Sequence, residues 1–376
     1  PGQSNKKPMH IPVKVGLVSP NGEDMDDRVL DLTKAEQTFT FENIGTRPVP
    51  SILRGFSAPV KLKSGLSEED YRFLMVHDND GFNKWEAGQK LSMNAIHNLL
   101  DHNKEPDKAF FDAYGDLITR AMEGDEDKSL MARSLNLSDV SAIGQERPEI
   151  DPEAIHCARR KILEKITDLN VDRIERLYEL NQTIGTYSNA PDAMAQRALK
   201  NAALELLSYH RDRSALKIAR LQYKMADNMT DRAAALSVLT HFDAPERQEI
   251  FDDFLERFKD KALVVDKWFA YQAMAVREDT NKAIEQLKKH ELFELRNPNR
   301  VRALYASFAI NNPVCFHASD GSGYEFLKKA VIELNQINPQ IAARLLGPFR
   351  DWRRFTPDRQ EKMLGALKEI ADREDL

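Results

Sequence analysis

The sequence predicts a small all-β domain, an immunoglobulin-like and incomplete sandwich, followed by a large all-α domain built as an irregular helical array of the armadillo or HEAT kind. Three observations lead there. Residues 1–64 carry short alternating apolar segments closed by Pro, Gly or Ser, whereas residues 65–376 carry apolar residues at helical spacing. Capping residues followed by proline mark helix starts with unusual regularity. The length of 376 residues exceeds the roughly 250 to 300 at which a single hydrophobic core stops growing, so two domains or a repeat array are expected.

In the β part, Ile11, Val13, Val15 and Leu17 alternate, as do Thr38-Phe39-Thr40-Phe41. Residues 29–32, 51–56 and 60–63 complete a set of five predicted strands. Asn21-Gly22 is a turn dipeptide, and Pro48, Pro50 and Pro59 suit strand edges or starts. An immunoglobulin-like sandwich needs about seven strands. The remaining strands are therefore expected upstream of Pro1, and the polar opening with its proline suggests a fragment or a processed product.

After Ser64-Gly65 the pattern becomes helical. Leu199, Ala202, Ala203 and Leu206 share one face, and so do Leu327, Ala330, Val331 and Leu334. Asp151-Pro152, Asn297-Pro298, Asn338-Pro339 and Thr356-Pro357 each place a capping side chain before a proline at the first helical position. About fifteen helices of roughly 9 to 20 residues with short connections are expected, stacked as antiparallel pairs without a strict repeat. The concave side of such an array would hold a ligand or a partner domain.

Composition excludes several classes. The 54 basic and 60 acidic side chains leave a net charge of −6, which argues against a dedicated nucleic-acid binder. No apolar run reaches the roughly 20 residues that cross a bilayer, and no amino-terminal signal pattern is visible, so the chain reads as cytoplasmic and without a membrane partner. Cys157 and Cys315 are expected as reduced, packed thiols.

No catalytic centre emerges. A zinc peptidase needs two histidines one helical turn apart with a glutamate beside the first. His290-Glu291-Leu292-Phe293-Glu294 has only the first half of that pattern, and is read as a surface helix end. His97 and His102, five apart, diverge on a helix, as do the adjacent His156 and Cys157. Asp320-Gly321-Ser322-Gly323 is read as a turn capping a helix from Tyr324, not as a phosphate loop. The basic runs at residues 211–213 and 350–354 are interleaved with aspartate and read as solvated helix ends.

Long motifs then point further. They are His10-Ile11-Pro12, Ala35-Glu36-Gln37-Thr38-Phe39, Pro48-Val49-Pro50 and Phe56-Ser57-Ala58-Pro59-Val60-Lys61-Leu62 in the β part. The helical part adds Asn228-Met229-Thr230-Asp231, Asp266-Lys267-Trp268-Phe269, Asn297-Pro298-Asn299-Arg300-Val301-Arg302, Phe316-His317, residues 320–324 and Arg359-Gln360-Glu361-Lys362-Met363. In this order they resemble the small β-sandwich and helical domain that end the bacterial aminopeptidase N family, zinc-dependent alanyl aminopeptidases of the gluzincin class.

The resemblance implies a non-catalytic carboxyl-terminal half of a zinc metallo-aminopeptidase, with zinc held in the parent's catalytic domain and neither a metal nor a cofactor site here. It implies that the helical domain caps that catalytic domain, limits access and helps bind peptide substrates, so the partners are the catalytic domain of the same parent chain and peptides. By motif, Arg302 and Arg344 would face the chamber and attract a peptide carboxylate. The competing account is that each pairs with a carboxylate on a neighbouring helix. A different class also stays open: a free-standing helical scaffold that binds a protein partner on its concave face.

Overall fold

A computed structural model describes residues 6–123, 126–183 and 185–373. The chain separates into two compact units, one comprising Pro1–Ser138, Leu169–Ile184 and Ser188–Ala203, the other Asp139–Asp168, Gly185–Tyr187 and Leu204–Leu376.

In the first unit three strands form an antiparallel sheet in the order β2-β1-β3, with β1 at Ile11–Val18, β2 at Asp24–Leu32 and β3 at Val49–Ile52. β1 and β2 are joined by a tight turn in which Gly22 takes φ +85°, a conformation that favours glycine. Register runs from Ile11 opposite Leu32 to Val18 opposite Asp24, with a shift at Leu17/Val18. Alternation along β1 stops where both of its faces are covered: Val15, Leu17 and Val18 are all buried.

Three described strands replace the expected five. Residues 38–41 join no ladder. Arg28 lies 3.9 Å over the Phe41 ring and donates to the Thr40 carbonyl at 3.0 Å, so side-chain contacts replace strand pairing. Residues 60–63 also stay outside the sheet, with Val60 and Leu62 exposed. The strand expected at residues 51–56 ends at Ile52, because Leu53, Gly55 and Phe56 all take positive φ.

That left-handed turn drives Arg54 inward. Its guanidinium is 2% exposed and forks onto Asp24 at 2.7 and 2.8 Å, while also bonding Ser51 Oγ at 3.0 Å and Asp78 at 3.0 Å. Asp78 follows the helix Glu68–His77, so a single side chain ties the sheet to the first helices of its unit. Space for it exists because residue 16 is glycine: a Cβ there would stand 2.0 Å from the guanidinium carbon.

In the second unit the expected helix faces pack as cores. Leu327, Ala330, Val331 and Leu334 are all at most 2% exposed, each leucine contributing about 1.5–3 kcal/mol by burial. Asn297, Asn338 and Asp151 cap their helices as anticipated, each accepting from a backbone N–H two or three residues on. Thr356 does not: its hydroxyl donates to the Asp358 carboxylate at 2.6 Å, and no side-chain cap forms. Across the described residues of the whole chain helix lengths are also more uneven than expected, from four residues at Pro298–Val301 to 29 at Pro152–Leu180, the latter interrupted by non-helical angles at Asn170.

Candidate functional site

The segment that begins at Asn297 is built in three steps. Asn297 Oδ1 accepts from the Asn299 and Arg300 N–H groups, and Pro298 occupies the first turn, where its missing N–H costs nothing. The helix then widens into a π turn over Arg302–Ala306, in which the Ser307 N–H reaches the Arg302 carbonyl five residues back, before resuming as Ser307–Asn311. Single π turns inside α-helices recur at functional sites. This segment packs on the helix Ala262–Ala273.

Arg302, at the start of the π turn, is exposed, and its guanidinium donates to Asn299 Oδ1. Arg344, on the helix Pro339–Leu345, is also exposed. Among the described residues neither arginine has a carboxylate within ion-pair distance, so the expectation that each pairs with an acidic residue on a neighbouring helix is not met. The two stand on elements with different supports: the Arg302 segment packs on Ala262–Ala273, the Arg344 helix on Ser322–Asn335.

Several other arginines of this unit are taken. Arg354 donates to the carbonyls of Gly144, Gln145 and Arg147 at 2.6 to 3.1 Å, closing the end of the helix Val140–Gln145. Arg211 pairs with Asp168 at 3.0 Å and Arg277 with Asp279 at 2.8 Å. Residues 211–213 and 350–354 are therefore partly structural, and not wholly the solvated helix ends that their charge pattern predicts.

Much of the polar run after Asn311 is interior. Asn312 is fully buried, accepts from the Cys315 N–H and donates to the Ala273 and Ala275 carbonyls at 3.0 and 2.7 Å. His317 is 5% exposed, stacked at 4.2 Å on Phe355, with Nδ1 2.9 Å from Tyr324 Oη, and its carbonyl accepts from Arg359 Nε at 2.7 Å. Desolvation, helped by the nearby Arg359 charge, pulls the imidazole down to about 3, so it is neutral at physiological pH. Gly323 is required by packing, since a Cβ there would lie 2.1 Å from the Phe316 carbonyl oxygen. Residues 320–321 do turn into the next helix, which starts at Ser322 instead of Tyr324: Gly321 holds the cap position without a side-chain bond, and Asp320 accepts from the Ser322 N–H at 2.9 Å.

Residues 290–294 lie in turns beyond the helix Thr280–Leu287, with the His290 ring packed 5.0 Å from Trp268. Among the described residues no group of three His, Cys, Asp or Glu side chains is placed to hold an ion. Cys157 is exposed, against the expectation of a packed thiol, because its helix turns that position outward; Cys315 is half-buried and its thiol is pushed up by burial. Both are free. Among the described residues no helix is long and apolar enough to cross a membrane.

Sequence reasoning overlooked Arg300. It is 6% exposed, lies 4.9 Å from the Phe269 ring centroid, and its Nε is 3.3 Å from Asp266 Oδ1. The signal was present: residue 300 shares a helical face with Leu304 and Phe308, both fully buried.

The architecture is that of an immunoglobulin-like module joined to an ARM-type helical array, with Arg302 and Arg344 among its exposed arginines that lack carboxylate partners, and with no metal cluster among the described residues. Residues 68–376 match a family described as a domain of unknown function with ARM repeats (DUF3458_C), and residues 1–65 match one described as a domain of unknown function with an Ig-like fold (DUF3458). The chain belongs to this family and represents the carboxyl-terminal part of aminopeptidase N proteins. It is 34% identical over 386 residues to aminopeptidase N of Escherichia coli (strain K12), a match covering 100% of this chain and 44% of that protein. Aminopeptidase N of Caulobacter vibrioides is 35% identical over 360 residues, 95% of this chain and 41% of that one. A crystal structure of Legionella pneumophila aminopeptidase A in complex with aspartic acid superposes with a TM-score of 0.87 at 30% identity, covering 97% of this chain and 44% of that chain. The chain thus spans less than half the length of these relatives.

Proposed function

We propose that this chain is the non-catalytic carboxyl-terminal half of a zinc metallo-aminopeptidase that removes amino-terminal residues from peptides. It caps the catalytic domain of the same parent chain, limits access to it and holds the carboxyl-terminal side of the peptide through Arg302 and Arg344. Zinc belongs to the parent's catalytic domain, and no catalytic step is assigned to residues of this chain.

The observation that carries the reading is the pair of exposed guanidinium groups without carboxylate partners on a chain of this family. A guanidinium that spends its donors inside the fold cannot recruit a substrate; one left open presents a planar fork suited to a carboxylate. Exclusion of bulk water around the peptide would strengthen that attraction.

The test compares the parent enzyme with its Arg302→Ala and Arg344→Ala variants on short peptides and on the same peptides with amidated carboxyl ends. Loss of a charge-assisted hydrogen bond predicts a rise in KM of about tenfold for the free-carboxylate peptides. The amides should be unaffected. Equal behaviour of acids and amides in both variants would remove the peptide-binding role.

A further inference from the structure

Arg300 and Arg302 are separated by one residue and have opposite surroundings. Arg302 is at the surface, whereas Arg300 lies beneath the same turn against Asp266 and the face of Phe269. The fit is costly. Arg300 Nε and Nη1, Asp266 Oδ1 and Tyr305 Oη are all buried without a protein hydrogen-bond partner. A buried ion pair with incomplete hydrogen bonding is no better for stability than apolar residues of similar volume.

Its location supplies a reason for it. The Asn297 cap holds the N–H groups of Asn299 and Arg300 together, and Asn299 in turn accepts from the Arg302 guanidinium. Directly afterwards the π turn inserts one residue more per turn than an α-helix, starting at Arg302. A widened turn gives a side chain a defined direction only if the turn before it is immobile. Arg300 supplies that anchor, because a planar cation stacked on a ring and facing a carboxylate has few alternative poses.

We propose that Arg300 is a positioning residue for Arg302: clamped by Asp266 and Phe269, it sets the direction in which the Arg302 guanidinium meets a peptide carboxylate. This rests on the reading of Arg302 given above. It adds that the binding geometry is set from within the fold by a residue that never touches the peptide.

The experiment uses the parent enzyme carrying Arg300→Lys, Arg302→Ala or both, with free-carboxylate peptides and their amides, alongside thermal unfolding. Lysine keeps the charge but loses the planar stack. Arg300→Lys is expected to raise KM for the acids about threefold or more, with kcat and the amides unchanged, since small displacements weaken an oriented contact. In the double variant the acid KM should equal that of Arg302→Ala alone, because both changes act through one guanidinium. If Arg302→Ala itself does not separate acids from amides, the reading of Arg302 fails and this proposal fails with it. If Arg302→Ala separates them but Arg300→Lys shifts acids and amides alike, or adds to Arg302→Ala, Arg300 is only structural and the reading of Arg302 stands. Should Arg300→Lys unfold, Asp266→Asn, which keeps the shape of the clamp and removes its counter-charge, is expected to give the same selective rise. An unselective change in Asp266→Asn would equally overturn the positioning role.

Discussion

Two turns of this chain each offer an arginine to their surroundings, and they spend it differently. At residues 53–56 a left-handed turn sends Arg54 into a cage of Asp24, Ser51 and Asp78, with Asp27 3.5 Å away. At residues 297–302 a capped helix start buries Arg300 but leaves Arg302 facing solvent with one amide oxygen. The difference lies in the supply of acceptors. Where carboxylates from other elements converge, arginine is a fastening of the fold; where they do not, it is available to a ligand.

The Arg54 cage also shows how burial and pairing compete. The hydrogen bonds from Arg54 hold Asp24 below the usual carboxylate range, whereas desolvation pushes Asp78 above it. The two carboxylates therefore answer acid with opposite signs. The contribution of Asp24 is present above its ordinary 3.8 and is lost as pH falls through its folded value.

The strongest way to break the comparison is Arg54→Ala, which leaves Asp78 buried and unpaired. It is expected to cost about 3–5 kcal/mol, read from the denaturant transition of the unit that contains it. A loss below about 1 kcal/mol would mean that the cage is not what joins the sheet to its helices. Next comes Gly16→Ala, whose methyl would occupy the guanidinium's position. Overpacking predicts a loss of about 1–3 kcal/mol, and in an Arg54→Ala background that loss should largely disappear.

The buried polar residues of the second region sharpen the contrast by pH. Below 6.5 the unfolded chain takes up a proton that folded His317 refuses down to about 3. Stability should therefore fall by about 1.4 kcal/mol per pH unit across that window from this group alone. His317→Gln should flatten this acid limb, measured as chemical unfolding between about pH 4 and about pH 7; an unchanged slope would show that the imidazole is not held neutral. At the small end, Arg302→Ala and Arg344→Ala should each move stability by no more than about 0.5 kcal/mol. A larger loss in either would place that arginine with Arg54, as part of the fold.

Local chemistry was legible in advance. Asn297, Asn338 and Asp151 before proline marked helix starts because a cap acts within three residues, and the periodicity at residues 327–334 marked a buried face because it reflects one helix's own geometry. Thr356 looked the same and was not a cap, since its hydroxyl donates to the Asp358 carboxylate and accepts from Arg359 Nη1 at 3.0 Å, not from a helical N–H. The strands at residues 38–41 and 60–63 failed for a related reason: alternation describes a surface, but a strand needs a neighbour with which to pair its backbone.

Among the candidate residues, motif resemblance singled out Arg302 and Arg344, while nothing local distinguished them from Arg54 or Arg300. The sequence by itself determined the change from β to helical texture, most helix starts and the absence of a two-histidine zinc motif. Only the tertiary structure decided which arginines are consumed and which stay open. Asp24 lies 30 residues from Arg54 and Asp78 lies 24 away, so whether a cation finds its acceptors depends on contacts that form when distant elements pack.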